Sequence, residues 1–245
     1  MRILVTGSAD GLGHAAADTL LKAGHGVVAH VRNADRLPAV RDLLDLGADV
    51  VVGDLGSLDQ TRDVAAQANV LGRMDAVIHN AGVSSGPKVL PVNVVAPYVL
   101  TALMQRPDRL VYLSSGMHRS GQPRLTGLDW RRQVSAGSYS DSKLFVTALA
   151  LAVGRLAPGT FSNAVDPGWV PTRMGGPNAP DDLRLGHLTQ EWLATSSDPE
   201  ALTTGGYWHH QRQVPPHASA ADEGFQDELL DVLERFTGIR LTFPV

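Results

Sequence analysis

The chain has 245 residues, of which 43% are hydrophobic and 19% charged, an ordinary globular composition with length enough for a sizeable core. Its formal net charge is -4 and it has no cysteine, which excludes a basic nucleic-acid footprint, disulfides and thiolate metal sites. The opening apolar run Ile3-Leu4-Val5 is too short for a signal peptide or a membrane span, so a cytoplasmic protein with no membrane or nucleic-acid partner is expected.

Arg2 to Thr6 reads as a buried strand. The turn Gly7-Ser8-Ala9-Asp10-Gly11-Leu12-Gly13 follows, then a helix from Ala15 to Ala23 that stops at Gly24. A strand running through glycines into a helix aims backbone N–H groups and the positive helix end at an anion. The same pattern also serves as a plain strand–helix connection. Gly26 to Val31 is the second strand, with Arg32 just past its end. Val31 stands where an acidic residue would hold a ribose 2′-hydroxyl. An arginine beside it suits a 2′-phosphate, so NADP is preferred to NAD unless Arg32 is simply a surface residue.

Asp35 to Leu46 reads as the second helix and Asp49 to Val52 as the third strand. Gly53-Asp54-Leu55 ends that strand, where a carboxylate can accept from an adenine amino group. Ser57-Leu58-Asp59-Gln60 is a capping box for the third helix. Asp75 to His79 is the fourth strand, and Asn80-Ala81-Gly82 leaves it with two small residues that permit close backbone approach to a cofactor. A helix is expected from Pro91 to Met104, regular from about Pro97, because proline is tolerated only in a first turn. Asn93 lies at or before that start, where a cap is the common role of Asn.

Arg109 to Leu113 is the fifth strand and ends in Ser114-Ser115-Gly116, with hydroxyls on the crevice side of a parallel sheet. His118 lies close enough in the chain to line the same space. The next helix runs from Tyr139 to about Leu156 and opens Tyr139-Ser140-Asp141-Ser142-Lys143. Positions four apart share a helix face, so phenol and ammonium can meet. A cation beside the phenol favours the phenolate, and a cationic cofactor ring would add to the effect. The pair would then act as a general acid/base near neutral pH. By spacing alone it is more often an accidental helix pair.

Phe161 to Val165 is the sixth strand, closed by Asp166-Pro167-Gly168-Trp169-Val170-Pro171-Thr172. Trp169 and Met174 would line a pocket or pack beneath a lid. Residues 173–221 break the alternation with glycines and prolines and are expected to form that lid, with short helices around Asp181 to Leu193 and a strand near Tyr207-Trp208. Glycine 224 to Thr237 is an amphipathic helix with Phe225, Leu229, Leu233 and Phe236 on its core face. His209, His210 and His217 lack a carboxylate or cysteine at ligand spacing, so no metal site is expected. Strands alternating with helices give an α/β, Rossmann-type doubly wound parallel sheet in one domain over residues 1–245.

These motifs together resemble the short-chain dehydrogenase/reductase family over residues 1 to 172. Thr6-Gly7-x3-Gly11-x-Gly13 is similar to its nucleotide loop. Asn80-Ala81-Gly82 resembles its sheet motif, with His79 where another Asn is usual. Arg32, the long interval from Ser115 to Tyr139 and the tail around Pro215-Pro216-His217 resemble the retinol-dehydrogenase-like branch. The interval from Gly82 to Asn93 is shorter than in that branch.

The resemblance implies catalytic Asn93, Ser115, Tyr139 and Lys143. It also implies a cofactor amide clamp at Pro167, Gly168, Val170 and Thr172. Ser115 would donate to a carbonyl oxygen, Tyr139 would deliver the proton, Lys143 would hold ribose hydroxyls, and Asn93 would position a water. The expected activity is NADP-dependent interconversion of a small ketone or aldehyde with an alcohol, in a possible homo-oligomer. A catalytically silent nucleotide sensor is the alternative. A sugar-nucleotide epimerase is disfavoured by the short stretch after Thr172.

Overall fold

The computed structural model describes residues 1–130 and 137–243. Its strands are β1 (Arg2–Val5), β2 (Gly26–Val31), β3 (Asp49–Val52), β4 (Ala76–His79), β5 (Arg109–Leu113), β6 (Phe161–Asp166), β7 (Tyr207–His209) and β8 (Arg212–Gln213). They form one sheet in the order β3-β2-β1-β4-β5-β6-β7-β8. All neighbours are parallel except β7 and β8. Strand order reverses between β1 and β4, and such a reversal opens a crevice at the carboxyl ends of the strands.

The helices are α1 (Gly11–Lys22), α2 (Arg41–Asp45), α3 (Leu58–Val70), α4 (Ala96–Leu103), α5 (Tyr139–Leu156), α6 (Leu183–Thr195), α7 (Ala218–Ala221) and α8 (Glu223–Thr237). Each sheet face buries its own apolar layer. Leu4, Val28, Val77, Leu110 and Ala164 face Leu144, Ala148 and Leu149 of α5, with Val64, Val99 and Leu229 from α3, α4 and α8. Ile3, Val5, Ala29, Ile78 and Val111 face Ala17, Leu20, Leu43 and Leu193 of α1, α2 and α6. The alternation of faces along β1 is the period-2 rule of a strand, with both faces covered by helices as a parallel sheet requires.

Several elements differ from expectation. The second helix is a 3₁₀ segment, Ala34–Val40, followed only by the single turn of α2. Pro38 lies inside it and cannot donate a backbone hydrogen bond. The first helix starts at Gly11, not Ala15, so the third glycine of the turn is already helical. Residues Pro91–Val95 form a π-turn that leads into α4, with Pro97 at the second α-position. Within 173–221, α6 and β7 belong to the core and the sheet. The longest stretch there without helix or strand is 167–182. Strand β8, absent from the sequence reading, returns through a two-residue turn at His210 and Gln211. Among the described residues no helix is long and apolar enough to cross a membrane.

Candidate active site

The crevice holds a cleft of about 660 Å³, bordered by the glycine turn, the ends of β2 to β5, the start of α5 and the loop after β6. Its glycines are required by space. A Cβ on Gly7 would stand 3.0 Å from the Ala81 Cα, and one on Gly13 would stand 2.5 Å from the Gly7 carbonyl oxygen. Gly7 and Gly11 also have φ of +72° and +59°, a region that glycine adopts without penalty. Asn80 pins the turn by donating Nδ2 to the Thr6 carbonyl at 2.8 Å, and Ala81 N–H donates to the Thr6 hydroxyl at 3.0 Å.

Asp10 occupies the N-cap of α1, yet its side chain makes no capping bond. Its carboxylate pairs instead with Arg36 at 3.0 Å. The first N–H groups of α1 therefore have no side-chain cap, and Gly11 and Leu12 face the cleft. An uncapped helix start in a cleft is suited to an anion. Arg32 and Arg36 both border the same end. This donor set fits the phosphates of a dinucleotide.

His30 was not singled out in the sequence. It accepts from Gly7 N–H through Nδ1 at 3.0 Å, and Nε2 lies 2.8 Å from the Gly53 carbonyl, which can only accept. Its neutral form is thereby fixed as the Nε2–H tautomer, and burial lowers its pKa. A histidine inside an otherwise apolar strand was the available signal. Ser8 is fully buried, and its hydroxyl donates to the Val5 carbonyl at 2.6 Å, turned away from the cleft. Asp54 borders the cleft, but Oδ1 accepts from Gly56 N–H and Oδ2 pairs with Lys88 at 2.7 Å. Lys88 comes from the short segment between β4 and the π-turn and reaches across to the end of β3. Leu55 and Gly82 border the cleft as well.

At the other end, the N-terminus of α5 is fixed by a capping box. Ser138 accepts from Asp141 N–H at 3.0 Å, and Asp141 accepts from Ser138 N–H at 2.8 Å. Tyr139 and Lys143 follow on one helix face, with Lys143 Nζ 5.5 Å from the Tyr139 ring centre. Lys143 Nζ donates to the Leu113 carbonyl at 2.6 Å. Burial lowers its pKa to about 8. Burial also raises the pKa of Tyr139, with a hydrogen bond from the Ser115 side acting in the opposite direction and Asp166 adding to the rise. The expectation that Lys143 makes the phenol more acidic is not met in the free protein. The ammonium is directed at a backbone carbonyl, and loss of water dominates at the phenol.

Ser115 lies at the end of β5, where its Oγ accepts from Met117 N–H at 3.2 Å. Ser114 is turned inward onto the Thr147 hydroxyl at 2.6 Å. Asn93 sits in the π-turn, nearly fully buried. Its Oδ1 accepts from Val83 N–H at 2.9 Å, and Nδ2 donates to the Val83 carbonyl and the Ser142 hydroxyl, both at 2.9 Å. It joins the loop after β4 to α5. A Cβ on Gly82 would lie 3.5 Å from Asn93 Oδ1 and 3.6 Å from Lys143 Nζ, so the two polar groups converge there.

His118 does not line the cleft. It is fully buried, its Nδ1 lies 2.8 Å from the Ser115 carbonyl, and Nε2 accepts from His217 N–H at 2.9 Å. Pro167 and Thr172 border the cleft, whereas Gly168 and Val170 hold the loop in shape. Gly168 has φ of +80°, and Val170 is buried. A Cβ on Gly11 would stand 3.4 Å from Thr172 Cγ2, so this loop meets the glycine turn across the cleft. Met174 borders the cleft, and Trp169 is 60% exposed beside it with its indole N–H donating to the Gly175 carbonyl at 2.8 Å.

A helix start for phosphates at one end and a phenol, hydroxyl and ammonium at the other are the parts of a nucleotide-dependent oxidoreductase. The short chain dehydrogenase family model matches residues 1–107. The chain is 35% identical over 258 residues to short-chain dehydrogenase chry4 of Gibberella zeae, covering 99% of both. The chain belongs to the short-chain dehydrogenase family of oxidoreductases. Its fold is similar to that of an uncharacterised protein from Mycobacterium paratuberculosis, at a TM-score of 0.77 and 22% identity, covering 100% of this chain and 95% of the other. It is also similar to a short chain dehydrogenase from Shigella flexneri complexed with NADP, at a TM-score of 0.67 and 24% identity, covering 86% and 97%.

Proposed function

We propose that this protein is an NADP-dependent oxidoreductase that interconverts a ketone or aldehyde with an alcohol, using Tyr139 as the acid/base. The observation that carries the reading is the convergence of Tyr139 and Lys143 on the cleft that the uncapped start of α1 also enters, with the Ser115 side chain hydrogen-bonded to Tyr139. The Shigella flexneri relative in complex with NADP supports the choice of cofactor. Arg32, just past the end of β2, supports it independently, with Arg36 of the following 3₁₀ segment beside it on the cleft, since guanidinium groups suit a 2′-phosphate.

When bound, NADPH supplies the hydride. Tyr139 delivers a proton to the carbonyl oxygen, and Ser115 donates a hydrogen bond to the same oxygen as charge develops there. Lys143 holds ribose hydroxyls, and its charge favours the tyrosinate left after transfer. Asn93 holds the loop after β4 against α5 and positions a water that returns a proton through Lys143. Pro167 and Thr172, which border the cleft, would hold the nicotinamide amide, with Gly168 and Val170 shaping the loop behind them. The irregular segment 167–182, with Trp169 and Met174 exposed on it, covers the substrate as a lid.

The test is hydride transfer from NADPH to a panel of small carbonyls, with product identified by mass. Turnover of a carbonyl supports the enzyme reading. Tight NADPH binding with no turnover of any carbonyl or alcohol would favour the silent sensor. The cofactor reading makes its own prediction. Arg32→Ala weakens NADPH binding about 10- to 100-fold, the worth of one charge-assisted hydrogen bond, and leaves NADH binding unchanged. Equal loss for both cofactors would remove the 2′-phosphate assignment.

A further inference from the structure

The side chains that carry positive charge to the border of the cleft are Arg32, Arg36, Lys88, Lys143 and Arg173. Arg36 is paired with Asp10 and Lys88 with Asp54, the two carboxylates on the same border. Lys143 gives its hydrogen bond to the Leu113 carbonyl. Arg32 and Arg173 make no hydrogen bond or ion pair among the described residues. Two guanidinium groups are therefore left over, and a dinucleotide phosphate has two anionic parts, the 2′-phosphate and the pyrophosphate. Arg32 stands where the first belongs. We propose that Arg173 is a cofactor-binding residue that grips the pyrophosphate from the lid, opposite the start of α1, and so closes segment 167–182 over bound NADPH.

The place of Arg173 in the chain decides which anion it meets. Its neighbour Thr172 puts Cγ2 3.4 Å from where a Cβ on Gly11 would be, and Gly11 is the first residue of α1. The lid thus leans on the glycine turn at the helix start that has no side-chain cap. Thr172 N–H donates to the Val170 carbonyl at 2.8 Å, and the Thr172 carbonyl accepts from Gly176 N–H at 2.8 Å. Val170 is buried. The backbone before Arg173 is therefore tied to the core while its own side chain is exposed on the cleft border. Backbone N–H groups of α1 suit phosphate oxygens from one side. A guanidinium suits them from the other, because its fork offers two parallel N–H groups. A substrate carboxylate, by contrast, would lie at the Tyr139 end of the cleft.

The proposal rests on the NADP reading of the cleft, but its test needs no substrate. Dissociation constants are measured for the full-length protein and for Arg173→Met with NADPH, NADH and adenosine 2′-monophosphate. The substitution removes an exposed charge and leaves the core untouched. Both dinucleotides carry the pyrophosphate, whereas only NADPH and the monophosphate carry the 2′-phosphate. Arg173→Met is expected to weaken NADPH and NADH alike, by about tenfold, and to leave the monophosphate unchanged. Arg32→Ala separates the two dinucleotides, so the two arginines give opposite patterns.

Unchanged affinity for both dinucleotides overturns the proposal and leaves the NADP reading standing. A loss confined to NADPH and the monophosphate overturns it as well, because it moves Arg173 to the 2′-phosphate. Unchanged cofactor affinity with a raised KM for an acidic carbonyl also overturns it and gives the arginine to the substrate. A native protein that binds neither dinucleotide removes the NADP reading and the proposal with it. Trypsin gives a second readout on the native chain, since the Arg173–Met174 bond lies in an exposed loop. Saturating NADPH or NADH is expected to slow cleavage at that bond, and adenosine 2′-monophosphate is not. Cleavage that neither dinucleotide slows would contradict the closing of the lid by Arg173.

Discussion

Lys143 enters a dry site on the first turn of α5 and gives its hydrogen bond to the Leu113 carbonyl. A lysine so placed is less stable charged than in water, and its value falls to about 8. The residue types Tyr139, Lys143 and Ser115 were legible in the sequence because a helix repeat and a strand end predict where side chains point. The direction of the phenol's shift was not legible. It depends on how much water the folded chain removes, which spacing does not report. His79 is a parallel case at the end of β4. It stacks on Tyr112 with ring centres 4.6 Å apart, shares its Nε2 with the Thr101 hydroxyl, and leaves Nδ1 without a partner. Burial lowers its pKa to about 3. The unfolded chain takes up this proton below about pH 6.5 and the folded protein does not, so stability falls as pH drops from 6.5 towards 3. His79→Asn, the residue usual in the family at this place, is expected to remove about 2 kcal/mol of the stability lost between pH 6.5 and 5. Denaturant melts at the two pH values check it, and an undiminished loss in the variant would show that His79 is not the source.

Among the elements, regular helices with strong caps were read within a few residues, and α5 begins and ends as expected. Segments governed by tertiary contact were not. Residues 34–45 have helical composition, but Pro38 breaks the bonding pattern and turns Arg36 towards Asp10. The shortened passage from Gly82 to Asn93 places Lys88 against Asp54, a pairing between residues far apart in the chain that no local pattern announces. The turn joining β7 and β8 is the other departure. His210 and Gln211 have φ of +47° and +59°, where hairpin turns usually carry Asn or Gly. Gln211 N–H donates to the Thr189 hydroxyl at 3.0 Å, which holds the turn against α6. Such backbone costs about 1 kcal/mol per residue. Gln211→Gly is expected to stabilise the protein by about that amount, read as a rise in Tm, because it keeps the N–H and relieves the left-handed strain. A lower Tm would mean that the glutamine side chain contributes more than its backbone costs.

At the scale of the whole molecule, the doubly wound sheet and its crevice were legible because alternating strands and helices leave few topologies. The contribution of the C-terminal third was less so. Its strands and helix complete the sheet and the core, while its irregular loop after β6 borders the cleft. The alkaline stability curve follows from the buried groups. The unfolded chain holds the Lys143 proton to its ordinary value of 10.5 and the folded protein only to about 8. Stability therefore rises with pH between those values, by up to about 3 kcal/mol. Above about pH 10 the sign reverses. Tyr98, Tyr112, Tyr139 and Tyr207 are all raised, so the unfolded chain ionises first and stability falls. Lys143→Met is expected to flatten the rise from pH 8 to 10 in urea melts while abolishing turnover. A rise that persists in the variant would assign it to another group.

Single-turnover hydride transfer from bound NADPH, compared between the natural protein and Tyr139→Phe, tests the account most directly. Loss of the phenol hydroxyl is expected to slow the step by about 10²- to 10⁴-fold with NADPH affinity unchanged. An equal rate in the phenylalanine variant, at equal affinity, would contradict it.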